Sequence, residues 1–99
     1  MIDILVCASG ADEVQLVSTI AQRLSTRCRV LRRCVDLTEL LALTRAELGD
    51  VLLLDVDVAG LSREIVHEIR RGGTGVIAVT SQSSRTDPAT LGITLEVHG

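Results

Sequence analysis

Aromatic residues are absent from this chain: none of its 99 residues is Phe, Tyr or Trp. The core must therefore consist of Leu, Val, Ile and Ala, which bury less surface per side chain than an aromatic ring does. A core of that kind predicts modest stability. With 46% hydrophobic residues, the length suits one small globular domain over residues 1–99.

Lysine is absent as well, so all ten basic residues are Arg. Chemistry that needs a flexible ammonium group is thereby excluded, and so is a phosphate-binding loop ending in Gly-Lys-Ser/Thr. The net charge of −3 and the pI of about 5.2 argue against a general nucleic-acid-binding protein.

Cysteines are few, and their spacing does not suit a metal site. Cys7, Cys28 and Cys34 form an odd set without a CxxC motif, which favours reduced, structural thiols in a cytoplasmic protein. Met1 is not followed by a secretory hydrophobic segment, and no stretch approaches the ~18 apolar residues of a membrane helix. The sequence predicts no metal site and no cofactor.

Short aliphatic runs alternate with amphipathic stretches, a pattern typical of β-α repeats and a parallel sheet. The second strand contains three Arg in six residues, which places it at a sheet edge. Right-handed crossovers then favour the flavodoxin-like α/β fold with strand order 2-1-3-4-5. The predicted strands cover residues 2–7, 28–33, 51–55, 75–80 and 93–97.

Helix signals fall between these strands. Apolar residues at helical spacing predict a first helix over residues 11–24. Asp36 and Glu39 form a capping box that starts a second helix, which Gly49 should end. Ser62 caps a third helix that should reach Arg71. A short fourth helix is predicted at 88–91, with no fifth helix, and no interdomain linker or repeat is visible.

The third strand, Val51–Asp55, ends on a carboxylate, as a buried parallel strand does when it delivers an acid to the carboxyl edge of a sheet. This segment resembles the third strand of response-regulator receiver domains. The resemblance implies that Asp55 occupies the phosphoacceptor position and that Thr80, at the end of strand four, occupies the position of the switch hydroxyl.

Several receiver features have no counterpart in this chain. Phosphorylating Asp requires Mg²⁺ held by acids, and the resemblance places those acids after strand one, where Cys7-Ala8-Ser9 stands. Asp12 and Glu13 are an alternative set of metal ligands. The favoured interpretation is that they are acids in the first turn of a helix, where the helix dipole stabilises them. The receiver Lys would fall near His98 or Gly99, and strand five has Leu95-Glu96-Val97 without the usual aromatic.

The structural interpretation of Asp55 is therefore favoured over phosphorylation. A carboxylate at the end of a strand can accept hydrogen bonds from turn N–H groups, here around residues 58–60. Asp57 is interpreted as a second turn acid. We predict no catalytic residues, since no nucleophile–base pair stands at usable spacing.

A second resemblance rests on the run Arg32-Arg33-Cys34-Val35-Asp36-Leu37, followed two residues later by Leu40-Leu41. It is similar to the N-terminal domain of actinobacterial CpaE/TadZ-like proteins, in which a receiver-like domain precedes a MinD/ParA-type P-loop ATPase. Some members are described as septum-site determining proteins. The resemblance implies an N-terminal fragment, a downstream ATPase domain, and a role in positioning pilus-assembly or division machinery.

Two functional hypotheses follow. The first is a non-catalytic pseudo-receiver that dimerises or docks; because no fifth helix is predicted, we expect self-association through an uncovered sheet face. The second is a phospho-accepting receiver using Asp55. A cluster of arginines is either a solvated edge or a docking patch for an acidic protein or an anionic membrane surface. This arginine patch comprises Arg23, Arg27, Arg29, Arg32 and Arg33.

Overall fold

A computed structural model describes residues 1–8, 15, 18, 19, 22 and 27–98 of the chain. Of the helix predicted over residues 11–24, Gln15, Ser18, Thr19 and Gln22 are described and helical, and the rest of that prediction lies outside the described residues. The described elements, in chain order, are β1 (Ile2–Cys7), β2 (Cys28–Arg33), α1 (Leu37–Arg45), β3 (Val51–Asp55), α2 (Arg63–Arg71), β4 (Gly75–Thr80), a 3-10 helix (Pro88–Leu91) and β5 (Glu96–His98).

The five strands form one parallel sheet in the order β2-β1-β3-β4-β5, which confirms the predicted fold. The Arg-rich strand β2 lies at the edge, as its charge predicted. Its pairing with β1 is interrupted between Ile4 and Leu5, where the register shifts by one residue. The carboxyl ends of β1, β3 and β4 therefore lie side by side at one edge of the sheet.

Strand β5 is shorter than predicted and starts later. Residues 93–97 were the expected strand, but the ladder pairs Ala78 with Glu96 and ends with Thr80 beside His98. Ile93 instead turns into the core, 3% exposed, and its N–H donates to the carbonyl of Pro88 in the 3-10 helix. Burial of Ile93 against that helix explains why the extended ladder begins only after it.

Helix α1 begins as predicted but ends earlier. The carboxylate of Asp36 accepts the N–H of Glu39 at 2.9 Å and caps its first turn. The helix ends at Arg45, and Glu47 takes the left-handed conformation (φ 61°) that is common just after a helix end. Gly49 is therefore not the stop that we predicted.

Gly49 has a different role, because the backbone there passes over a core side chain. Its φ is 85°, and a Cβ at this position would lie 2.6 Å from Cγ of Leu5. Only glycine fits such a close approach without displacing Leu5.

The main core lies on the sheet face that carries α1 and α2. Leu5, Leu52 and Leu54 of the sheet pack there with Leu40 of α1 and Ile69 of α2, and each is at most 2% exposed. Helix α2 starts at the predicted cap, where Oγ of Ser62 accepts the N–H of Ile65 at 3.3 Å. The aliphatic core expected from the composition is thus present.

A second, smaller cluster lies on the opposite sheet face, because side chains alternate along a strand. Its buried members are Ile4, Val6, Leu53 and Val79. Within the described part of the chain, this cluster consists of strand residues and Ala8. Among the described residues, no helix is long and apolar enough to cross a membrane.

Candidate functional site

Asp55 lies at the carboxyl end of β3, the position at which ligands bind in open parallel sheets. Its Oδ1 accepts the N–H of Asp57 at 2.9 Å, and its carbonyl accepts the N–H of Val58 at 3.3 Å. The carboxylate thus stabilises its own turn, because it accepts a hydrogen bond from the backbone two residues further along the chain. The donor is one residue earlier than the predicted group at 58–60.

A cleft of about 240 Å³ opens beside Asp55. It lies between the ends of β1, β2 and β3, so its floor comes from buried strand ends and its rim from turn residues. We call it the edge cleft. Its lining residues are Cys7, Ala8, Cys34, Val35, Asp36, Leu37, Asp55, Asp57, Val58 and Ala59.

Cys7 and Cys34 form the thiol floor of the edge cleft and are 2% and 4% exposed. Burial raises the pKa of the Cys7 thiol to about 12, with Cys34 and the nearby Asp55 carboxylate adding to the shift. Burial, together with Glu39, raises the pKa of the Cys34 thiol to about 11. Both groups are therefore neutral at pH 7, so neither thiol offers a negative charge to a cation at Asp55.

Asp57 has a larger role than the turn acid that the sequence predicted. Its carboxylate accepts the N–H of Arg85 at 3.0 Å and the N–H of Thr86 at 3.1 Å. The Arg85 bond, aided by Thr86, holds the pKa of Asp57 below its ordinary value. Asp57 thereby fixes the loop after β4 against the loop after β3. The sequence of the polar loop 81–87 did not predict this contact. Its position after β4, at the same sheet edge, was the one available indication.

Thr80 ends β4, the neighbour of β3, and is 5% exposed. The register pairs Asp55 with Val79, so Thr80 follows the residue directly opposite Asp55. The structure therefore places Asp55 and Thr80 at the ends of adjacent strands.

Some arginines of the arginine patch form ion pairs within the chain. Arg29 pairs with Asp3 of β1, and Nε of Arg32 lies 3.3 Å from Oε1 of Glu39. The Arg29 hydrogen bond lowers the pKa of the Asp3 carboxyl. Arg27 and Arg33 are exposed, and Arg23 lies outside the described residues. Two of the described arginines of the patch are thus paired with acids of the chain itself, and this pairing lowers the net positive charge of the patch.

Among the described residues, no group of three or more His, Cys, Asp or Glu side chains is arranged to hold a metal ion. Asp12 and Glu13, the alternative ligands, lie outside the described residues. His67 is exposed on α2, where it lines an open groove formed by residues of that helix and Gly72.

Comparisons with solved structures show the receiver-domain fold. A protein from Burkholderia pseudomallei described as pilus assembly-related superposes with a TM-score of 0.70 at 23% identity, covering 99% of this chain and 78% of that one. The N-terminal domain of the nisin resistance regulator NsrR, a lantibiotic response regulator, gives 0.65 at 16% identity, covering 97% and 83%. No known family and no curated protein sequence matches.

Proposed function

We propose that this chain is a non-catalytic pseudo-receiver domain that serves protein interaction, dimerisation or localisation. It would act in the cytoplasm beside the ATPase domain of a CpaE/TadZ-like protein, in pilus assembly or septum-site positioning. The likeness in fold to a pilus assembly-related protein supports this setting. The observation that carries the non-catalytic part is that the end of β1 contributes Cys7 and Ala8, and no carboxylate, to the edge cleft beside Asp55.

Electrostatics explain why a site without acids at the end of β1 accepts phosphate poorly. A phosphoryl group and a carboxylate repel each other unless a divalent cation lies between them, and Mg²⁺ is held by oxygen ligands. Here the last residue of β1, Cys7, brings a buried, neutral thiol to the cleft, and Asp57 already accepts two backbone N–H groups. The described residues around Asp55 therefore offer Mg²⁺ a weak site.

The interaction role rests on an apolar strip at the β5 end of the sheet. Leu95 is 62% exposed and Val97 is 39% exposed, and Val97 pairs with Val79 in the ladder. Side chains of residues paired in parallel strands point to the same face, so this strip continues the smaller cluster outward from Val79. We propose that a second copy of the chain covers Leu95 and Val97 in a two-fold dimer.

Beryllofluoride with Mg²⁺ tests the absence of phospho-acceptance. We expect no change in amide NMR spectra at millimolar Mg²⁺, and no mass increase with acetyl phosphate. Asp55→Asn is the control for a specific response. A spectral change or mass shift that this substitution abolishes would overturn the non-catalytic assignment.

Sedimentation equilibrium tests the dimer separately. The wild-type chain should show a dimer at high micromolar concentration, and Leu95→Glu should shift it to monomer. Val35→Glu is the matched control, because Val35 is 84% exposed but lies after β2 at the other end of the sheet. A wild-type chain that stays monomeric throughout, or two variants that behave alike, would contradict the proposed surface.

The alternative is a receiver that accepts phosphate on Asp55. Adjacent placement of Asp55 and Thr80 at the ends of β3 and β4 favours it, because a hydroxyl there could donate to a phosphoryl oxygen. The beryllofluoride experiment separates the two functions. Loss of a positive response in Thr80→Ala as well as in Asp55→Asn would establish the alternative.

A further inference from the structure

Cys7 and Cys34 face each other across neighbouring strands. Val6 of β1 pairs with Arg33 of β2, and the N–H of Cys34 donates to the carbonyl of Val6 at 2.7 Å. The next residues along the chain are Cys7, which ends β1, and Cys34, which directly follows β2; both belong to the main core cluster. Their side chains therefore point to the same face of the sheet.

Residues directly opposite each other in a sheet have Cα atoms about 4.8 Å apart, the spacing between strands. Disulfides span Cα separations of about 4.4–6.8 Å. A Cys7–Cys34 bond thus fits the strand spacing without a change in register. Cys28 has no such position, because it pairs with Ile2 at the opposite end of the same two strands.

We propose that Cys7 and Cys34 form a reversible disulfide, which makes the floor of the edge cleft a redox modification site. The oxidant is a small-molecule disulfide of the glutathione type, which can approach through the cleft that both cysteines line. The disulfide follows from the register of β1 and β2 and the cleft beside them, whatever partner the domain binds.

The reaction balances as a thiol–disulfide exchange. The Cys34 thiolate attacks one sulfur of the small disulfide, forming a mixed disulfide and releasing one small thiolate. The Cys7 thiolate then attacks the Cys34 sulfur, forming the protein disulfide and releasing the second. Two electrons pass from the cysteine sulfurs to the small disulfide, and the two cysteine protons end on the released thiols. Since burial raises the pKa of both cysteines, the exchange should be slow at pH 7 and faster at pH 9.

The bond would close a covalent loop over residues 7–34 and join β1 to β2 beneath the cleft. Closing that loop restricts the unfolded chain, so the oxidised protein should melt at a higher temperature than the reduced one. The same bond removes both thiol hydrogens from the cleft floor next to Asp55.

The chain offers a direct test, because its arginines separate the three cysteines. Trypsin cleavage after Arg27, Arg29 and Arg33 leaves each cysteine on a different peptide. The whole chain is equilibrated with glutathione and glutathione disulfide at pH 8.5, both from the reduced folded state and by refolding from urea. Exchange is then quenched with acid, the free thiols are alkylated with N-ethylmaleimide near neutral pH in urea, and the tryptic peptides are analysed by mass spectrometry.

We expect the Cys7 and Cys34 peptides to be joined from both directions, with loss of two hydrogens, while Cys28 is alkylated or glutathionylated. Cys28→Ser should leave the bond unchanged, and Cys34→Ser should abolish it. Three outcomes would overturn the proposal: free Cys7 and Cys34, glutathione adducts without the bond, or pairing with Cys28. A sample kept in urea is the unfolded control. In it the three cysteines should pair without preference.

Discussion

The carboxylate of Asp57 accepts the backbone N–H of Arg85, with 3.0 Å between Oδ2 and N, and so joins two loops separated by 28 residues. Its Oδ1 accepts the N–H of Thr86 as well. Backbone donors in an irregular loop need partners, and here one exposed side chain supplies both. Asp57 therefore organises the edge of the sheet beside Asp55 without taking part in any core.

Substituting Asp57 should loosen the loop after β4. In Asp57→Ala, the Arg85 and Thr86 amides lose their acceptor, and we expect faster hydrogen exchange there with little change in the β3 and β4 amides. Native-state exchange followed by NMR measures this. Asp55→Asn serves as the matched control, because Oδ1 of Asp55 accepts an N–H of its own turn and not of the loop after β4. Unchanged exchange at Arg85 would show that Asp57 does not hold the loop.

Gly49 should be the least replaceable glycine among those with positive φ. Gly49→Ala places a methyl against Leu5 and strains the backbone, so we expect a loss of about 2–4 kcal/mol in the free energy of unfolding. Gly73→Ala is the control: its φ is 99°, but nothing lies within 4 Å of the added Cβ. Strain alone should cost about 1–2 kcal/mol there.

Urea unfolding of both glycine variants measures the difference. The contribution of the close contact is what remains after the Gly73 value is subtracted. Equal losses in the two variants would mean that Leu5 moves aside freely, and that the approach to Gly49 is not a packing constraint.

Much of the fold could be predicted because local signals agreed with it. Aliphatic runs marked β1, β3 and β4, the charge of β2 placed it at the edge, and Asp36 and Ser62 fell at helix caps. The failures came from tertiary contacts. The role of Gly49 depends on Leu5, which lies more than forty residues away in the sequence. No local pattern encodes such a contact.

The candidate site was predictable in position but not in contacts. Strand ends located Asp55 and Thr80 at one edge, since parallel strands deliver their carboxyl ends together. The partners of Asp57 and the juxtaposition of Cys7 with Cys34 depend on register and loop path. The register between β1 and β2 even shifts at Leu5, which spacing along the chain could not reveal.

The Ser62 cap should contribute measurably to stability. Ser62→Ala removes the acceptor for the N–H of Ile65 at the start of α2, and we expect a loss of about 1 kcal/mol. Thermal or urea unfolding measures it, with Ser83→Ala as the exposed-serine control expected to change little. Ser62→Asp should restore the loss because Asp caps equally well. A neutral Ser62→Ala would show that the long 3.3 Å bond contributes nothing.

Alkaline pH should destabilise this protein through its buried thiols. In the unfolded chain Cys7 and Cys34 ionise near their ordinary value of 9.0, whereas the folded pKa values are about 12 and about 11. Between those limits the folded state binds more protons, so the free energy of unfolding falls as pH rises. The slope is at most about 1.4 kcal/mol per pH unit for each thiol.

The chain contains neither Tyr nor Lys, so neither side chain adds to the pH dependence of stability in this range. Urea unfolding at intervals from pH 8 to 11, under reducing conditions, should show the fall beginning near pH 9. Cys7→Ala should reduce the slope by one thiol's share. Val79→Ala, also a buried truncation, should lower stability at every pH but keep the wild-type slope. A slope unaffected by Cys7→Ala would mean that this thiol ionises as readily in the folded protein as in the unfolded chain.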